Sequence, residues 1–174
     1  NEETKEGFPF DFELRVSYAL EGKSIKVIYD VKNLSDDDMY FSIGGHEGYA
    51  CPEGIEEYYL KFEKKETITH NELNGNLLTD NCIILAEDTD ELPLKCSYFD
   101  IDAITMLNLK SRKVSLCHKD TGKKISVEFD GFDYMFVWTK PGANAGYLCI
   151  EPWTGIPDFE GTSYDIKEKL GISK

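Results

Sequence analysis

The chain has three histidines, and one of them, His46, stands in the run FSIGGHEGYACPEG (residues 41–54) between Gly44-Gly45 and Gly48. Glycine loses more conformational entropy on folding than any other residue, and it is kept where the backbone needs positive φ or close approach to another group. An imidazole in such a run is either packed into a tight turn or held out to move protons. Its flanks are aromatic: Tyr40, Phe41 and Tyr49. A second stretch, LCIEPWTGIPD (residues 148–158), sets Glu151 behind three apolar residues and ahead of Pro152. That proline is expected to stop the strand ladder. A carboxylate at the end of a buried strand is costly unless it is paired or used; the plainer alternative is a solvated rim glutamate. Trp153 beside it is either core or a flat apolar surface for a sugar ring. A histidine and a glutamate can serve as general acid and general base without a cofactor. These residues alone name no substrate.

Other chemistries fit less well. A phosphate-binding glycine loop needs a strand before it and a helix after it, whereas Ile43–Gly48 leads into another apolar-polar stretch with Pro52. His46, His70 and His118 lack metal-ligand spacing, and no HxxxH occurs. Asp36-Asp37-Asp38 reads as a solvated turn, and the EF-hand pattern for calcium is missing. His118 adjoins the Asp120–Gly122 turn and is expected to be exposed, and His70 lies in the polar stretch ETITHNELNG. The five cysteines, Cys51, Cys82, Cys96, Cys117 and Cys149, are odd in number, widely spaced and without a CxxC pair. Neither structural zinc nor a disulfide framework is indicated, and the expectation is mostly buried thiols in a cytoplasmic protein. With 33 acidic against 19 basic residues, a net charge of −14 disfavours nucleic acid and anionic membranes as partners. No apolar run approaches a membrane span in length.

The elements that must position His46 and Glu151 read as strands. In SIKVIYDVK (residues 24–32), Ile25, Val27, Tyr29 and Val31 fall on one face, which is period two. With FPFDFELRVSYAL before it and Glu21-Gly22-Lys23 between, this predicts a hairpin. VSLCHKDTGKKISVEF predicts a second hairpin, turning at Asp120-Thr121-Gly122. Further strands are expected at 58–62, 82–86, 103–109, 134–139 and 147–150, and a short helix at 164–170. The class is all-β. So many strands call for two stacked sheets, in one domain over residues 1–174.

The two chemical stretches also carry a resemblance. FSIGGHEGYACP and YLCIEPWTGIPD are similar to the two signature segments of the aldose 1-epimerase (galactose mutarotase-like) family, in its LacX-like branch. PFDFELRVSYALEGKSIKVIYDVKN and FDGFDYMFVWTKPGANAGYLCIEPW resemble that branch too, so the likeness runs through the whole chain in order. It implies a β-super-sandwich and the interconversion of α and β anomers of a free hexose of glucose or galactose type, with no metal and no organic cofactor. In the family the signature histidine protonates the ring oxygen and the signature glutamate takes the proton of the anomeric hydroxyl. These match His46 and Glu151. An aspartate that holds sugar hydroxyls matches Asp102, in SYFDIDAITML, and Trp153 is carried as a second sugar contact.

Two departures accompany the resemblance. The branch usually has proline, a small residue and an aromatic one after the histidine, where this chain has Glu47-Gly48-Tyr49. Family members also carry an N-terminal segment with early strands, an arginine and a second histidine, and nothing here matches it. The chain therefore resembles the family's C-terminal portion, and an N-terminal fragment or a homodimer partner is expected to complete the sheet. Two alternatives to a mutarotase stay open: a non-catalytic sugar-binding or regulatory module, and an epimerase of a hexose 6-phosphate. The last would need clustered cations, and the chain has only Arg15 and Arg112 as arginines.

Overall fold

The structure, a computed structural model, describes residues 2–174. It consists of two compact units, Asn1–Phe41 with Lys174, and Ser42–Ser173. The first opens with a short helix α1 (Glu2–Gly7), followed by a hairpin of β1 (Phe12–Glu21) and β2 (Ser24–Asn33). The turn falls at Gly22, whose φ of 63° suits glycine. The antiparallel register sets Leu14 opposite Val31, Val16 opposite Tyr29, Tyr18 opposite Val27 and Leu20 opposite Ile25. Period two thus places all eight on one face, as the sequence predicts. That face is not buried, however: Tyr18, Leu20 and Ile25 are 71%, 81% and 66% exposed.

The second unit holds two four-stranded antiparallel sheets. One has the order β3-β10-β9-β6, from Glu47–Ala50, Tyr147–Trp153, Tyr134–Trp138 and Ile104–Met106. The other has the order β5-β4-β7-β8, from Leu77–Pro93, Tyr58–Asn74, Lys113–His118 and Lys124–Glu128. Alternate residues of both build one core: Leu148, Ile150, Met135, Val137, Ile104 and Met106 meet Leu60, Phe62, Val114 and Leu116. Burying each such side chain contributes roughly 1.5–3 kcal/mol, which fixes the facing sides of the sandwich. The all-β expectation holds.

The strand β4 outruns the expected segment 58–62. Its first part pairs with β7 on one side and β5 on the other, and from Glu66 to Asn74 the pairing with β5 continues through several register shifts. Such bulges bend a ribbon. The bent ribbon reaches the edge strand β6, where Asn71 N donates to Thr105 Oγ1 (2.9 Å) and Thr105 N donates to His70 Nδ1 (3.3 Å). His70 is therefore a buried strand residue accepting a backbone donor at a sheet edge. Burial holds its pKa below the ordinary histidine value, which keeps the ring neutral and able to accept.

Three further expectations are corrected. His118 is buried against Tyr58, and its Nδ1 accepts from Asp120 N and Thr121 N (3.1 and 3.3 Å), so it caps the β7–β8 turn instead of facing solvent. The strand expected over 103–109 stops at Met106, because Glu66 draws the following segment aside: its buried carboxyl accepts from Lys110 N, Ser111 N (2.7 Å) and Ser111 Oγ (2.6 Å). The helix expected at 164–170 is only a 3-10 turn, Ile166–Glu168, capped by Asp165. Tyr164 has a left-handed φ of 57°, which breaks the helical run at its start.

Glu66 leaves three buried donors stranded if it is removed. Glu66→Ala is expected to cost about 2–3 kcal/mol, and Glu66→Gln less, in urea unfolding followed by circular dichroism.

Candidate active site

His46 and Glu151 meet because of strand register. In the β3–β10 ladder Glu47 lies opposite Ile150, and beyond it Gly44 bridges Trp153. The same register sets His46 across from Glu151. Hydrogen bonds stitch the segment down on both sides: Gly45 N donates to Pro152 O (3.0 Å), Thr154 N to Ile43 O (2.9 Å), and Ile43 N to Thr154 Oγ1 (3.0 Å). The strand β10 therefore does not end at Pro152. Its pairing with β9 continues to Trp153 opposite Tyr134.

Alternation along β10 gives Leu148 and Ile150 to the core and turns Glu151 and Trp153 to the opposite side of the sheet. On β9 the same alternation turns Phe136 and Trp138 that way, with Phe136 directly opposite Glu151. These side chains form part of a cleft of about 370 Å³ lined by His46, Asp102, Phe136, Trp138 and Glu151, and closed by Leu73 and Asn76 from the tip of the β4–β5 ribbon. A volume in the range of roughly 300–1,000 Å³ suits a small molecule. Three of the four expected residues, His46, Glu151 and Asp102, line it.

The central contact is 3.0 Å between His46 Nε2 and Glu151 Oε1, with the histidine side chain 58% exposed and the glutamate 6%. The distance suits a hydrogen bond but the alignment does not, so the buried Oε1 has no directed hydrogen-bond partner. Burial pushes the Glu151 carboxyl above the usual carboxylate range; the His46 ring and the Trp153 N–H oppose that rise, and Asp102 and Glu47 add to it. A carboxylate held this way is a base of raised proton affinity. Asp102 accepts from Ala103 N (2.8 Å) at the entry to β6, which fixes its carboxyl at the cleft wall.

Trp153 takes a different place from a simple stacking surface. Its indole Nε1–H donates to Glu151 Oε2 at 3.3 Å. The aromatic wall is instead made by Phe136 and Trp138, the latter edge-on to His46 with ring centroids 6.0 Å apart. Sequence reasoning missed both, although the alternation in YMFVW would have placed them on one face.

The donor atoms of His46, Cys149 and Glu151 lie within 4.8 Å of one another. Burial, with the Glu151 charge next, raises the Cys149 thiol above its ordinary value. All five cysteines are free, with Cys51, Cys117 and Cys149 buried and Cys82 and Cys96 exposed.

Residues 1–160 match the family model for aldose 1-epimerase. The chain belongs to the aldose 1-epimerase family. It is 34% identical to the plasmid and chromosomal LacX proteins of Lactococcus lactis subsp. lactis, over 100% of its own length and 60% of theirs. Among solved structures it resembles a galactose mutarotase related enzyme from Lactobacillus acidophilus (31% identity, TM-score 0.89, 99% of this chain and 59% of that one). It also resembles a galactose mutarotase-like protein from Lactobacillus casei ATCC 334 (26% identity, TM-score 0.87, 99% and 61%). The fold is thus galactose mutarotase-like, and the chain spans about three fifths of the length of these relatives. Among the described residues no helix is long and apolar enough to cross a membrane.

Two outcomes follow for this cleft. A Cβ on Gly44 would sit 2.2 Å from Trp153 Cε3 and 2.8 Å from Pro152 O, so Gly44→Ala is expected to displace the indole, cost about 1–3 kcal/mol and shift the tryptophan fluorescence maximum. Glu151 holds its proton to higher pH in the fold than in the unfolded chain, so stability falls as pH rises from the ordinary glutamate range through the raised value. Glu151→Gln is therefore expected to raise Tm at pH 8 and to lose that advantage at pH 4, measured by calorimetry.

Proposed function

We propose that the cleft interconverts the anomers of a free aldohexose, with His46 as acid and Glu151 as base. The observation that carries this is the 3.0 Å approach of His46 Nε2 to a buried, undirected Glu151 Oε1. The two oxygens that must exchange protons in mutarotation, the anomeric hydroxyl and the ring oxygen, are bonded to one carbon. An acid and a base in direct contact can therefore reach both at once.

Glu151 Oε1 takes the proton of the anomeric hydroxyl as the C1 carbonyl forms. The bond between C1 and the ring oxygen breaks, and that oxygen receives a proton from His46 Nε2. Rotation about C1–C2 presents the other face of the aldehyde. The chain hydroxyl then attacks C1, returning its proton to His46, and the new anomeric oxygen recovers the proton from Glu151. Both side chains end as they began, so no other reactant is consumed. Asp102 offers a carboxylate oxygen to sugar hydroxyls, and Phe136 with Trp138 supports the apolar side of the ring. The described lining includes two carboxylates and no Lys or Arg, which favours a neutral sugar over a phosphorylated one.

Polarimetry of freshly dissolved α-D-glucose and α-D-galactose tests the reading. The parent chain is expected to accelerate mutarotation, and His46→Asn or Glu151→Gln to lose about 10²–10⁴-fold of that acceleration. The acidic limb of the parent's rate profile is expected above the usual glutamate range. Saturable sugar binding without acceleration by the parent would replace the enzyme with a sugar-binding module.

A further inference from the structure

A carboxylate has two equivalent oxygens, and its terminal torsion is broad and nearly two-fold. Nothing intrinsic to Glu151 decides which oxygen receives the proton. Its surroundings do. Trp153, two positions along β10, projects from the same face and donates its indole N–H to Oε2 (3.3 Å), while Oε1 remains beside His46 without a directed bond. An indole N–H is a donor only and cannot reverse its role. A proton arriving at Glu151 is thus turned away from Oε2 and lands on Oε1, on the cleft side.

The indole is itself held. Gly44 bridges Trp153, and the space a Cβ would need at Gly44 is already filled by the ring. Oxygen, indole and glycine form one packed column, with Gly44 from the segment that carries His46. We propose that Trp153 is a positioning residue for Glu151, binding Oε2 so that Oε1 is the oxygen that exchanges protons and favouring the ionised carboxylate. The catalytic half of this rests on the acid/base reading above; the anchoring of the carboxyl stands on geometry alone. The other titratable groups whose charge or burial bears on the carboxyl are His46 and Glu47 from the opposing segment, Asp102 from the entry to β6, and Cys149 on β10 itself. Among these, Asp102 and Glu47 disfavour the charged form and His46 favours it. The indole is the uncharged donor in the set.

The test is a carbon-13 NMR titration of the chain labelled at glutamate carboxyls, with the Glu151 signal identified by its loss in Glu151→Gln. Trp153→Phe keeps an aromatic ring and removes the donor. The Glu151 midpoint is expected to move to higher pH in Trp153→Phe, and an unchanged midpoint in the folded variant overturns the proposal. Should Trp153→Phe fail to fold, the parent decides the matter: its indole N–H resonance for Trp153 is expected to titrate with the Glu151 midpoint, and to lose that dependence in Glu151→Gln. An indole resonance indifferent to that midpoint overturns the proposal equally. Where the parent accelerates mutarotation, Trp153→Phe is expected to lower kcat roughly three- to tenfold on the acidic limb, to shift that limb upward and to leave KM within about twofold. An inactive parent would sink the mutarotase reading while leaving both NMR outcomes to judge the anchoring.

Discussion

Everything at the site depends on the antiparallel register between residues 43–50 and β10. Pairing of Glu47 with Ile150 and of Gly44 with Trp153 leaves His46 no other neighbour across the strand than Glu151. A slip by one residue would turn Glu151 into the core and Ile150 into the cleft, because side chains alternate faces. The packing of Leu148 and Ile150 in the sandwich core therefore enforces the geometry of groups on the other side of the same strand. Core energetics and site precision are here one constraint.

The second requirement is a dry environment for a carboxylate, and the ribbon of β4 and β5 provides much of it. Its register shifts bend the ribbon away from β7, and Thr105 fastens it to the edge of the first sheet through His70 and Asn71. Leu73 and Asn76 then close the cleft over Phe136. A charge removed from water is unfavourable unless compensated, and the compensation is split between an exposed imidazole and a half-buried indole. The arrangement leaves one oxygen anchored and the other available.

Much of this was legible in the sequence. Period two marked both hairpins and the strands β9 and β10, and the glycine-flanked histidine together with the glutamate before proline marked the two ends of the central contact. The reason for the glycines was not legible. Gly44 is required by the flat ring of a residue more than a hundred positions later, and only the folded register brings the two together. The same holds for the polar core: Glu66 finds its donors 45 residues away and His70 finds its donor 35 residues away. A polar residue read locally looks solvated, and local pattern carries no information about a partner at that separation. The lower reach of β4 was hidden for the same reason, since its polar run is satisfied by β5 and Thr105 rather than by water.

The hairpin of β1 and β2 differs from the sandwich in what water already touches. Its ladder is ten residues long on each strand, yet Tyr18, Leu20 and Ile25 keep most of their surface wet. The large heat-capacity increment of unfolding comes from apolar surface newly exposed to solvent, at roughly 12–15 cal/mol/K per residue for an ordinary globular chain. Melting this ribbon exposes little that is new. A small increment bends the hairpin's own stability curve little, so its stability changes nearly linearly with temperature, without the dome expected of the sandwich.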